Sequence, residues 1–117
     1  MDFELSAEQQ AIRAAFARFT DERIAPRAAA LDEAHAFPRE LFGELAALGL
    51  YALRYPEDVG GSGAGLVEFC LALEQVARGS MSLAGCAAMQ SLMGTKFLHM
   101  LGNADVRARL FAPALRG

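Results

Sequence analysis

The sequence predicts an all-α fold, an up-and-down-like bundle of about six helices. Three observations carry that prediction. Apolar residues recur at spacings of three and four in almost every segment, the repeat of a helix with one buried face. Glycines and prolines divide the chain into lengths that suit short helices. No segment of useful length alternates apolar and polar residues as a half-buried strand would. With 117 residues, the chain has the size of one domain, residues 1–117. Folding at that length buries roughly 65% of the unfolded surface, enough for one core without disulfides or metal.

The elements follow in order. Ser6 to Gln9 reads S-x-x-Q, a capping box that opens the first helix, and Ile12, Phe16 and Phe19 form its apolar stripe. Pro26 is expected to end or kink that helix, because it lacks an amide hydrogen and crowds the preceding turn. The alanine-rich stretch from Arg27 to Ala34 reads as a second short helix. Pro38 suits the first position of a third, whose apolar face is Leu41, Phe42, Leu45 and Leu48, and Gly49 suits its left-handed stop. The segment "LYALRYP" is too short for another helix and is the one plausible extended stretch. A fourth helix carries Leu66, Phe69, Cys70, Leu73 and Val76 and stops near Gly79. Ser80 or Ser82 caps a fifth, which runs to Gly102; a sixth starts at Asn103, carries Val106 and Leu110, and meets Pro113.

Composition excludes several functions. The net charge is -3, from 11 basic and 14 acidic residues, so the chain offers no basic stripe for nucleic acid and no polybasic membrane anchor. No apolar run reaches the ~20 residues of a membrane span, and the polar N-terminus "MDFELSAEQQ" is not a secretory signal. A cytoplasmic chain is the expectation. Cys70 and Cys86 have no CxxC or histidine companion, so they read as buried free thiols and not as a metal site. The apolar share of 54% hints that some apolar surface faces a partner.

The stretch "YPEDVGGSGAG" places four glycines in its last six residues. A dinucleotide loop reads G-x-G-x-x-G after a strand, but Leu66 stands where the third glycine belongs. A P-loop ends in glycine-lysine-serine or glycine-lysine-threonine, and the only lysine is the distant Lys96. The stretch therefore reads as a turn in which Gly60 and Gly61 allow positive φ. No catalytic constellation accompanies it. The adjacent carboxylates Asp21 and Glu22, Asp32 and Glu33, and Glu57 and Asp58 sit on exposed faces or in turns. His35 and His99 lack ligand partners, and Ser80, Ser82 and Ser91 lack a base.

Several short motifs stand in a specific order: "LSAEQQ", the proline-broken helix, "FP" at Phe37, "LGL" at Leu48, "PEDVGGSGAG" and the closing "GNADVRARLFAPALRG". Together they resemble the N-terminal helical domain of the acyl-CoA dehydrogenase family. The resemblance implies a three-part parent with a middle β-domain and a C-terminal helical domain, both absent from this chain. It implies that FAD is held mainly by those later parts and does not bind this segment alone. No catalytic residue is expected in this segment, because the family's carboxylate base lies in the C-terminal part. The implied partners are an acyl-CoA substrate of fatty acid metabolism and the remaining domains, on the same chain or on a partner subunit, with a parent that is a homo-oligomer. The resemblance also places Gly85, Met89 and Met93 along the distal acyl slot, at i, i+4 and i+8 of one helix. Methionine suits such a wall, being apolar and adaptable. Two alternatives stay open: a flavin-dependent monooxygenase or oxidase of the same superfamily, and a non-catalytic helical interaction module.

Overall fold

The computed structural model describes residues 3–117. Met1 and Asp2, the start of the polar N-terminus read above, lie outside them. The all-α expectation is borne out: five continuous helices and no strand occur among the described residues. Helix α1 consists of Ala7–Phe19, a π-helical turn Thr20–Ile24, and Ala25–Glu33. Helix α2 is Arg39–Ala47, and α3 is Leu66–Gly79. Helix α4 consists of Met81–Met89, a π turn Gln90–Gly94, and Thr95–Leu101. Helix α5 consists of Ala104–Val106, a π turn Arg107–Phe111, and Ala112–Ala114.

Local chemistry sets most of the ends. The Ser6 hydroxyl accepts from the Gln9 amide at 3.1 Å, and the Gln9 side-chain oxygen accepts from the Ser6 amide at 3.0 Å. Ser80 caps α4 by accepting from the Leu83 amide, and Asn103 caps α5 by accepting from the Val106 amide. At the end of α2, Gly49 adopts φ +84°. The Gly49 amide donates to Ala46 and the Leu50 amide to Leu45, which closes the last turn with two bonds. Helix α2 starts at Arg39, with Pro38 as its cap and not its first residue. Gly102 ends α4 in extended backbone, where a β-carbon would strike the Leu98 carbonyl.

Three expectations are corrected. Pro26 does not end α1, because the π turn just before it redirects the ladder: the Ala25 amide donates five residues back, to Thr20. The widened turn removes the carbonyl that the proline ring would crowd. Pro113 stands at the same offset after the π turn of α5, where the Ala112 amide donates to Arg107. The two first predicted helices are thus one. The segment "LYALRYP" is not extended: Ala52 donates to Gly49, Leu53 to Leu50 and Tyr55 to Ala52, a succession of tight turns. Cys70 and Cys86 are free but exposed, not buried.

Helices α1 and α3 pack through Phe16, Ile24, Phe69, Ala72 and Val76. Gly79 makes this close, since a β-carbon there would lie 2.6 Å from Thr20 Cγ2. Leu41, Leu45, Leu50 and Tyr51 join the same core from below, and Leu83, Ala84 and Ala87 from α4. A second cluster, Tyr55, Phe111 and Leu115, seats α5. The result is a slab of 42 × 41 × 20 Å, about two helix diameters thick. A slab that thin leaves one face of α4 uncovered.

Candidate functional site

The uncovered face of α4 carries the residues singled out from the sequence. Gly85, Met89 and Met93 line one open apolar groove, and Phe37 and Phe42 form its other wall. Met89 and Met93 are 57% and 47% exposed, so neither is a core side chain. A β-carbon at Gly85 would meet nothing within 4 Å, which leaves the groove floor empty there. The groove shares Phe37, Ser82 and Cys86 with an adjoining cavity of about 260 Å³ between the end of α1 and the start of α4. His35 edges that cavity from the turn after α1, at φ +50°.

The opposite face of α4 is pinned by hydroxyl groups. The Tyr55 hydroxyl donates to the Ser91 carbonyl at 2.6 Å, and the Ser91 hydroxyl donates to the Tyr51 carbonyl at 3.2 Å, both bonds buried. Tyr51 in turn donates to the Phe42 carbonyl at 2.9 Å, behind the far wall of the groove. Burial pushes both phenols above their ordinary range, with Cys86 adding to the effect at Tyr51 and Arg54 opposing it at Tyr55. Both tyrosines therefore keep their protons and act as donors. Sequence reasoning missed Tyr55 and weighed Ser91 only as a nucleophile. One signal was available: Leu83, Ala87, Ser91, Thr95 and His99 recur every four residues over a length at which a straight α-helix would drift out of line.

The glycine-rich turn has no amides to offer a phosphate. Gly60 donates to Glu57, Gly61 to Pro56, Ser62 to Ala52, Gly63 to Tyr55 and Ala64 to Leu53, at 2.8–3.2 Å. Hydrogen bonds from the Gln9 side chain and from the backbone amides of Glu68 and Gly65 hold the Glu68 carboxyl below the usual carboxylate range. Gly60 has positive φ as expected, at +92°, but the second left-handed glycine is Gly63, not Gly61. These residues do not fit a flavin diphosphate, because the amides of residues 60–64 are already bonded within the chain.

Four arginines form ion pairs at the surface: Arg23 with Glu44, Arg27 with Glu40, Arg78 with Asp21 and Arg109 with Asp105. Arg54 lies over the Phe69 ring, 5.6 Å from its centroid. His99 packs edge-on to Tyr55 and against Phe111, with its buried Nδ1 unpartnered. No cluster among the described residues could hold a metal ion, and no helix there is long and apolar enough to cross a membrane.

Residues 6–117 match the family described as acyl-CoA dehydrogenase, N-terminal domain. The chain belongs to that family. It is 74% identical over 117 residues to benzylmalonyl-CoA dehydrogenase of Aromatoleum aromaticum, covering 100% of this chain and 31% of that protein. It is 34% identical over 119 residues to a probable acyl-CoA dehydrogenase of Bacillus subtilis, again covering 100% of this chain and 31% of the relative. Glutaryl-CoA dehydrogenase from Mycobacterium smegmatis superposes with a TM-score of 0.88 at 26% identity, over 96% of this chain and 29% of that one. Butyryl-CoA dehydrogenase from Megasphaera elsdenii shares the fold, with a TM-score of 0.90 at 24% identity, over 99% of this chain and 31% of that one. This acyl-CoA dehydrogenase N-terminal domain thus spans about 31% of the length of its first two relatives. The family expected from "LSAEQQ", "PEDVGGSGAG" and the closing motif is the one found.

Proposed function

We propose that the chain is the slot-bearing N-terminal domain of a flavin-dependent acyl-CoA dehydrogenase that acts on a benzyl-substituted acyl-CoA such as benzylmalonyl-CoA. The observation that carries this reading is 74% identity along the whole chain to a benzylmalonyl-CoA dehydrogenase. That identity favours the dehydrogenase over an oxidase or monooxygenase of the same architecture, and over a helical module without a cofactor. A flavin held by the rest of the parent protein would supply the hydride acceptor for α,β-dehydrogenation of the thioester, and a base there would take the α-proton. This domain supplies neither group. Gly85, Met89 and Met93 supply the apolar wall along which the acyl group lies, with Phe37 and Phe42 facing it. An aryl group suits a wall of methionine and phenylalanine, because polarizable sulfur and ring edges pack on its faces. The other domains, on the same chain or a partner subunit, cover the exposed side of α4.

The test is anaerobic titration of the flavin-loaded parent enzyme with benzylmalonyl-CoA and with butyryl-CoA. Bleaching of the oxidised flavin by the first is the expected result. Reduction by butyryl-CoA but not by benzylmalonyl-CoA, or by neither thioester, would overturn the reading. The 117-residue chain alone is expected to purify without flavin.

A further inference from the structure

Three of the five helices contain a π turn, and two of the three are explained by a proline. Pro26 and Pro113 each stand two residues beyond their turn. The third, Gln90–Gly94 in α4, has no proline. A π turn gives up the regular ladder and needs compensation from elsewhere. In α4 that compensation comes from outside the helix. Tyr55 donates to the Ser91 carbonyl, Ser91 to the Tyr51 carbonyl at 3.2 Å, and the Gln90 side chain to the Ala114 carbonyl at 3.0 Å.

The turn has a geometric effect on both faces of α4. Each four-residue step along an α-helix advances ~40°, so a row of five such residues drifts by ~160°. One π turn holds an extra residue and takes back ~100°. Leu83, Ala87, Ser91 and Thr95 accordingly stay buried in line, at 1%, 0%, 1% and 2% exposure. His99 continues the row against Tyr55 and Phe111. On the other side, Gly85, Met89, Met93 and Phe97 repeat at the same spacing, and by the same arithmetic they make one straight row. Met89, Met93 and Phe97 in that row are exposed.

We propose that Tyr55 and Ser91 are positioning residues of the acyl slot: their buried hydrogen bonds hold the π turn that brings Met93 and Phe97 into line with Gly85 and Met89. The glycine-rich loop has its purpose here too. It seats Tyr55, whose carbonyl accepts from the Gly63 amide at 2.8 Å. Without the phenol, the Ser91 carbonyl is buried without its donor, and the turn relaxes toward the α ladder. The far half of the slot wall then rotates away from the near half. The role of the row as a slot wall rests on the function proposed above; the register of the helix does not.

The test uses the full-length flavin-loaded enzyme carrying Tyr55→Phe or Ser91→Ala, with Val76→Ala as a control that weakens the core away from the groove. In Tyr55→Phe the KM for benzylmalonyl-CoA rises about tenfold, the worth of one buried bond. The kcat stays within about twofold, and Val76→Ala lowers Tm without moving KM. Equal KM values in Tyr55→Phe and the parent, or a KM that rises equally in Val76→Ala, overturn the proposal. The second arm is a crystal structure of full-length Tyr55→Phe. A shift of Met93 and Phe97 relative to Gly85 supports the proposal, and an unchanged π turn overturns it. If the parent enzyme oxidises no thioester, the proposed function falls while this structural arm still decides the positioning role.

Discussion

The backbone carbonyl of Tyr55 occupies the space that a β-carbon on Gly61 would need. Gly60, beside it, has the unusual φ of +92° but open space, its nearest neighbour being Leu115 Cδ1 at 3.9 Å. The two glycines are therefore required for different reasons, one for approach and one for torsion. Gly60→Ala is expected to cost about 1–2 kcal/mol, the penalty of a left-handed alanine. Gly61→Ala is expected to cost more than about 3 kcal/mol, because backbone, not a pliable side chain, must move. Urea unfolding of the two variants checks the order; a costlier Gly60→Ala would contradict it.

Two other glycines predict opposite signs for one substitution. Gly85 lies inside α4 with an open Cβ direction, so Gly85→Ala should stabilise the domain by about 0.5–1 kcal/mol. Gly79 lies against Thr20 and Ile24, so Gly79→Ala should destabilise it by about 1–3 kcal/mol through overpacking. Thermal melts of both variants read the difference. In the full enzyme, Gly85→Leu should raise the KM for an acyl group that fills the groove while leaving flavin content unchanged.

Acid should weaken the fold through three carboxylates. Hydrogen bonds from Arg78, Arg23 and Gln9 hold Asp21, Glu44 and Glu68, respectively, below their ordinary range. A depressed folded-state pKa gives stability that is present above the unfolded pKa and lost as pH falls through the folded one. The urea midpoint should stay level from neutral pH to about 5, then fall through about 4 and below. Asp21 is exposed and Glu44 and Glu68 are half-buried at the surface, so solvent screens each contribution and keeps it small. Arg78→Gln and Gln9→Leu should each flatten the acid limb; an unchanged limb in both would contradict the assignment of these partners.

Both thiols should react with iodoacetamide in the native protein, since Cys70 and Cys86 are exposed. Mass spectrometry counting fewer than two adducts before unfolding would contradict that exposure. The Cys86 adduct should narrow the groove, whose wall it shares.

The helices were legible because three- and four-residue spacing and side-chain caps act locally: Ser6, Ser80 and Asn103 cap as their chemistry requires. Pro26 was misread because the cost of a proline is judged against an α ladder, and a π turn changes the ladder. The turn segment before the glycines, with Tyr51, Leu53 and Tyr55, was misread because it is too short for another helix, and successive tight turns have no periodic signature over so few residues. In those turns all three side chains are buried, at most 7% exposed. Gly85, Met89 and Met93 came from the family resemblance alone; apolar spacing cannot tell an open face of α4 from a covered one. The pairing of Tyr55 with Ser91 spans 36 positions, and no local rule reaches that far.

Glycine-rich surface loops are where proteases ordinarily cut. A protease needs several consecutive residues drawn out in its cleft, with their amides free. Residues 60–64 are exposed or half-buried, yet every one of their amides is already spent on the chain itself. Drawing them out would break five hydrogen bonds and unseat Tyr55 from α4. Limited digestion should therefore pass over the most glycine-dense part of the protein. It should nick first at the exposed turn around His35, whose strained backbone a single cut would release.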